Sequence, residues 1–179
     1  IALGRYNTVG QYSNAVGQNN YAKYYSTAVG YYCAANKSST AVGRYCNALS
    51  SDSTAIGNGA TATGGSYASA FGYYSRAEAS YALAMGNSAY ARKYKAIAVG
   101  GNAAEEESLA IGCSANAYSK CSAALTPYTY ATGENAVCIG YGAITQVKNA
   151  IAIGYQTRID ELGEGVTAMG HFNDATVTG

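Results

Sequence analysis

Polar and apolar positions alternate in short bursts along this chain, and nearly every burst ends on glycine. The fullest version is Asn149-Ala150-Ile151-Ala152-Ile153-Gly154. Shorter versions recur as Ala2-Leu3-Gly4, Ala15-Val16-Gly17, Ala28-Val29-Gly30, Ala41-Val42-Gly43, Ala55-Ile56-Gly57 and Ala70-Phe71-Gly72. The series continues with Ala84-Met85-Gly86, Ala98-Val99-Gly100, Ala110-Ile111-Gly112, Cys138-Ile139-Gly140 and Ala168-Met169-Gly170, and one copy, Ala124-Leu125-Thr126, loses its glycine. Successive anchors lie 12 to 16 residues apart, most often 14. A near-constant period over a whole chain is the signature of a repeat architecture.

Each period has two halves. The first is a polar residue followed by apolar-Ala-apolar-Gly; the second, after a turn, is small-x-Ala, as in Ala60-Thr61-Ala62, Ala89-Tyr90-Ala91 and Ala115-Asn116-Ala117. Apolar spacing of two, β-branched choices and intervening Asn, Ser, Thr and Gly predict strands and turns rather than helices. Glycine at every anchor would also break each helix after about two turns. The pattern therefore predicts an all-β chain: a parallel β-roll, or β-solenoid, of about 12 coils with about 14-residue repeats, each coil two strands of about five residues. Residues one and three before the glycine share a face. The predicted structural rungs are Ile56, Gly57, Val99, Gly100, Ile111, Gly112, Ile139, Gly140, Ile151, Ile153 and Gly154. On this reading Ile151 and Ile153 supply the buried face, Ala152 allows close approach on the other, and Gly154 turns the chain; Ile153→Asp would then unfold the stack locally. No composition break marks a second domain, so residues 1–179 read as one repeat domain. The chain begins and ends within the repeat pattern, which reads as a segment of a longer fibrous protein.

Composition sharpens the picture. Of 179 residues, 22 are glycine and 19 tyrosine, with one proline, no tryptophan and only 12% charged residues at a net charge of +1. Such a balance gives no electrostatic case for nucleic acid. No apolar run is long enough to span a bilayer as a helix, so no direct membrane insertion is expected. An interior filled mainly by alanine is thin, with opposite walls close together. That favours lateral association of several chains over an isolated solenoid.

Five cysteines cannot all pair within one chain. Cys33 and Cys46 occupy a column that elsewhere holds alanine or serine, and are expected to be small buried residues standing in for alanine; a disulfide between adjacent coils is the alternative. Neither a Cys-x-x-Cys pair nor a Cys/His cluster exists, so no metal site is expected. His171 is the only histidine and has no nucleophile context, and Glu105, Glu106 and Glu107 read as a solvated turn. No catalytic residue and no cofactor is expected, and the chain does not read as an enzyme.

Repeats of the form Ser/Asn-x-Ala-Ile-Gly-x-x-Ala-x-Ala-x-Gly resemble the head repeats of trimeric autotransporter adhesins of the YadA type. The match is carried by Asn149–Gly154, by Ser53-Thr54-Ala55-Ile56-Gly57-Asn58-Gly59-Ala60-Thr61-Ala62-Thr63-Gly64 and by Leu109-Ala110-Ile111-Gly112-Cys113-Ser114-Ala115-Asn116-Ala117. The resemblance implies a left-handed roll, three copies of which pack as a homotrimer, in an adhesive fibre at a cell surface. Phages and large viruses borrow the same repeat, and five cysteines sit more comfortably with assembly in a reducing cytoplasm; a fibre segment on a virion is thus the alternative. An ice-binding solenoid needs a regular threonine face, and the column of Thr27, Thr40 and Thr54 gives way to Ser69, Leu83, Ile97 and Leu109.

What such a segment displays outward is where function is expected. Tyrosines cluster after the glycine, and Tyr31, Tyr32, Tyr73, Tyr74, Tyr141 and Tyr155 are the candidate ligand-binding surface. Tyrosine supplies contact area and a hydroxyl at low entropic cost. A host glycan or receptor protein is the expected partner besides the chain itself, and the expected location is extracellular, on a cell or virion surface.

Overall fold

The computed structural model describes residues 1–160 and 164–175. It is all-β, a parallel β-solenoid of about 12 turns, and it divides into two compact units, Ile1–Ala91 and Arg92–Gly179. In the first unit one sheet is built from the glycine-anchored strands, among them Asn14–Gln18, Thr27–Tyr31, Thr40–Arg44, Thr54–Asn58, Ser69–Phe71 and Leu83–Met85. The other is built from two-residue strands such as Tyr21–Ala22, Ala34–Ala35, Asn47–Ala48 and Thr61–Ala62. The second unit repeats this with Ile97–Val99, Leu109–Ile111, Ala123–Leu125, Val137–Ile139 and Ile151–Ile153 on one side and Asn102–Ala103, Asn116–Ala117 and Tyr130–Ala131 on the other. The second strand of each coil is thus two residues long, shorter than the five expected. The corners take the rest.

Register follows the repeat: Ala15 pairs with Ala28, Val16 with Val29 and Gly17 with Gly30, and Cys138 pairs with Ala152 as Ile139 does with Ile153. The anchors explain why. Gly17, Gly30, Gly43 and Gly57 have φ between 120° and 145°, a region essentially closed to side chains. A methyl group on Gly43 would lie 1.9 Å from the carbonyl oxygen of Gly57 in the next coil, and one on Gly30 would lie 1.8 Å from that of Gly43. Where Thr126 replaces the glycine it keeps φ at 116°, and its hydroxyl accepts the Gly140 N–H at 2.8 Å.

The interior corrects one expectation. Ala15, Ala28, Ala41 and Ala55 in the first unit, and Ala98, Ala110, Cys138 and Ala152 in the second, are fully buried. Ile56, Val99, Ile111, Ile139, Ile151 and Ile153, expected inside, point outward instead; Ile56 and Ile111 are 38% and 42% exposed. The reason is cross-section. Two walls joined by tight corners enclose four inward columns per coil, and the other three are small too: Ala22/Ala35/Ala48, Asn20/Cys33/Cys46 and Ser26/Ser39/Ser53. Alanine fits that space and a row of isoleucines does not. Ile159 is the largest fully buried side chain among the described residues.

Corners are closed by inward hydroxyls, amides and thiols. The Asn20 side-chain amide donates to the carbonyls of Val16 and Gly30 at 2.9 and 2.8 Å, while its carbonyl oxygen accepts the Cys33 N–H at 2.9 Å. Ser39 Oγ donates to the Ser50 carbonyl at 2.7 Å, and Ser122 Oγ to that of Ser119 at 2.6 Å. Burying a backbone carbonyl without a donor is unfavourable, so these columns satisfy what the corners expose inside.

Each ordinary coil also places two residues at positive φ, one at each corner. Tyr32, Tyr45 and Tyr74 mark the first corner and Tyr12, Tyr25, Tyr67 and Tyr81 the second, all with φ between 50° and 63°. Such values are uncommon for non-glycine residues. Here they aim the N–H along the stack: Tyr45 N donates to the Tyr31 carbonyl at 2.8 Å and Tyr25 N to that of Gln11 at 3.0 Å. The coil from Gly100 to Gly112, 12 residues long, is short because it lacks the two corner residues after the anchor. Gly100 itself takes the corner at φ 71°, so it is a corner residue rather than a rung like Gly112 or Gly140.

Candidate functional site

Because first-corner residues repeat once per coil, their side chains are held one strand spacing apart, about 4.8 Å. Tyr31, Tyr32 and Tyr45 form one cluster, with Tyr32 and Tyr45 stacked at 5.7 Å and Arg44 lying 4.9 Å above the Tyr45 ring. Contact with the rings desolvates the Tyr31 hydroxyl and, with added repulsion from Tyr45 and Tyr32, raises its pKa above the ordinary tyrosine value. Tyr73 and Tyr74 meet edge to face at 4.5 Å. In the second unit Tyr141 and Tyr155 stack at 5.6 Å within a longer ladder: Tyr128 precedes them, and His171 stacks on Tyr155 at 5.1 Å with Phe172 edge-on. The six candidate tyrosines therefore fall into separate clusters rather than one surface. Sequence reasoning set His171 aside as a lone histidine and did not include Phe172; their spacing of one and two residues after Gly170 was the signal that placed them in the ladder.

The two walls differ outside. In the first unit the anchored sheet presents Leu3, Val16, Val29, Val42, Ile56, Phe71 and Met85 in one outward column. In the second it presents two apolar columns, Val99, Ile111, Leu125, Ile139 and Ile153 beside Ile97, Leu109, Val137 and Ile151. The outward column of the other sheet is mostly polar or aromatic: Tyr21, Asn47, Thr61 and Arg76, then Asn102, Asn116, Tyr130 and Arg158, with Ala34 and Ile144 between them. A contiguous apolar stripe of this kind marks an interaction surface.

The acidic turn is laced to its neighbours. Glu107 pairs with Lys95 at 3.4 Å and Glu106 with Lys120 at 3.6 Å, all well exposed, so the pairs contribute little stability. Cys33, Cys46 and Cys138 are buried free thiols filling small-residue positions, as expected for the first two. Burial pushes the Cys138 thiol up to about 12, and the adjoining Cys33 thiol, with burial, raises that of Cys46. Thiolates are the reactive species, but the reagent must also reach them; the Cys46 thiol lowers the pKa of Cys33 beside it to about 6, so burial alone shields Cys33. Iodoacetamide at pH 8 is therefore expected to modify exposed Cys113 in the native chain, and Cys33, Cys46 and Cys138 only after denaturation. Peptide mass spectrometry reads the outcome, and rapid native labelling of Cys138 would contradict the buried column.

A solenoid of stacked parallel coils, with glycine at one corner and small residues inside, defines the class: a β-roll repeat protein. Residues 48–75, 64–89, 77–103 and 131–157 match the model of the YadA head domain repeat (2 copies). Over these residues the chain is similar to YadA-like head repeats. No curated protein matches the chain.

Proposed function

We propose that this chain is a structural and adhesive fibre segment that assembles as a homotrimer through the apolar outer stripe of its anchored sheet. It displays its tyrosine-edged corners to a host glycan or receptor protein outside the cell. YadA-like head repeats support the adhesin-type reading, and the observation that carries the assembly is the stripe itself. The other sheet's outward face is mixed, with Asn, Thr and Arg among its tyrosines, so association through the anchored sheet buries the aliphatic side chains the thin interior leaves out. Small clusters of stacked tyrosine at the corners then supply rigid contact area along the fibre.

Adhesion is tested by coupling the assembled segment to beads and measuring retention on cultured host cells under flow. Retention above that of beads carrying an unrelated solenoid is expected, with loss of most of it in a Tyr31→Ser/Tyr32→Ser/Tyr141→Ser/Tyr155→Ser variant. Retention equal to the unrelated solenoid would overturn the adhesive reading.

A further inference from the structure

The second corner does not have a constant length in the first unit, and its change of length makes a groove. Between the two-residue strand and the next inward corner residue the turn has three residues at Lys23–Tyr25 and at 36–38, four at 49–52 and five at 63–67. Each longer turn overhangs the shorter ones below it. The result is a groove of about 440 Å³, continuous through Lys23 and Tyr24 with a second of about 290 Å³. Gly64 and Gly65 form the overhanging turn, and Gly65 N–H donates to Ser50 Oγ at 3.1 Å.

We propose that this groove binds an acidic saccharide. Its volume lies in the range of small-ligand sites, yet its lining is not that of an apolar pocket: Leu49 is its one large aliphatic side chain. Lys23 and Lys37 line it, and neither is in an ion pair among the described residues. No carboxylate lines the groove; Asp52, next to Ser51, is the nearest in sequence. The hydroxyls of Ser50, Ser51, Thr63 and Ser66 give the wall donors and acceptors suited to a polyol. Tyr24, 46% exposed, adds an amphipathic ring with Lys23 Nζ 5.9 Å from its centroid, so ring and ammonium act on a bound sugar together. Two ammonium groups suit one carboxylate or sulfate on the sugar, too few to track a nucleic-acid backbone. The unit's other charges leave this bias intact: Arg5, Arg44 and Arg76 add to the two lysines against only Asp52 and Glu78, and Glu78 is held by Arg76 at 2.5 Å.

The groove goes beyond the adhesive reading: it adds a saccharide contact at the second corner, apart from the first-corner tyrosines. Isothermal titration of the assembled segment with 3′-sialyllactose, lactose and sodium sulfate separates the two. Sialyllactose is expected to bind at least about tenfold more tightly than lactose or sulfate. Lys37→Gln and Lys23→Gln should each weaken it about tenfold, and Lys37→Arg should retain it, with circular dichroism unchanged throughout. Equal affinity for lactose, binding of sulfate as tight as of the saccharide, or wild-type affinity in both Gln variants would each overturn the site. If beads hold to cells while sialyllactose fails to bind, the groove is refuted and adhesion stands. If sialyllactose binds and beads do not hold, the groove stands and adhesion is refuted.

Discussion

Gly43→Ala is expected to lower the stability of the first unit by about 4 kcal/mol, combining a conformation closed to L-side chains with an overpacked contact. The added methyl would sit 1.9 Å from the Gly57 carbonyl oxygen and 3.0 Å from Cys46 Sγ, and the backbone cannot yield without breaking register with the next coil. A melting temperature lower by about 10 °C follows. The control is Gly142→Ala. Gly142 also has positive φ, at 69°, but its nearest neighbour is the flexible Gln156 side chain at 3.3 Å, and its column elsewhere holds Tyr32, Tyr45 and Tyr74. It should lose only about 1 kcal/mol. Thermal melts followed by circular dichroism rank the two, and equal losses would show that the anchors turn the chain without stacking on one another.

Ala152→Asp and Ile153→Asp should differ just as sharply, although the residues are neighbours. Ala152 is fully buried among small side chains, and a carboxylate there has neither water nor a cation, so a loss of about 5 kcal/mol is expected. Ile153 is partly exposed on the outer stripe. Its replacement should change the stability of the single chain by under about 1 kcal/mol while placing a charge in the middle of the assembly surface. Equilibrium unfolding of each variant at low protein concentration reads the difference. An Ile153→Asp chain that unfolds while Ala152→Asp stays folded would restore the opposite orientation.

That orientation was the part of the fold the sequence pointed to wrongly. In Ala150-Ile151-Ala152-Ile153 both phases of the alternation are apolar, and the usual preference for burying the larger side chain favours the isoleucines. A thin coil reverses this, because volume rather than hydrophobicity decides what enters. The columns carried the signal: the position two before the glycine is Ala or Cys in coil after coil, whereas its neighbours range over Asn14, Thr27, Ser69, Leu83 and Ile97. Uniform smallness marks the inside. Period, register and the stacking of strands were legible because one glycine per coil fixes them together.

The corners were half legible. Tyrosine is a poor indicator of positive φ, so Tyr32 and Tyr45 gave no hint of their backbone. Their column also holds Asn19, Gly59 and Gly142, and the second-corner column of Tyr12 and Tyr25 holds Asp52 and Asn135, residue types that tolerate that conformation. Tyrosine clusters along the first corner were foreseen from spacing alone, but not their division into separate groups, which follows from Asn58, Gly59, Asn87 and Ser88 interrupting the ladder. The groove beside Lys23 and Lys37 went unread because no motif marks it. It arises from a step in turn length, three to five residues over successive coils, visible only once the strands are aligned.

All of this turns on the outward stripe being an interface between copies. Sedimentation velocity on the wild-type segment and on Ile153→Asp/Ile111→Asp tests it most directly. The wild-type segment is expected to sediment as a species of three chains, and the double variant as a single chain that keeps its β circular dichroism. A wild-type chain that stays monomeric and folded at micromolar concentration, its stripe open to water, would contradict that interface.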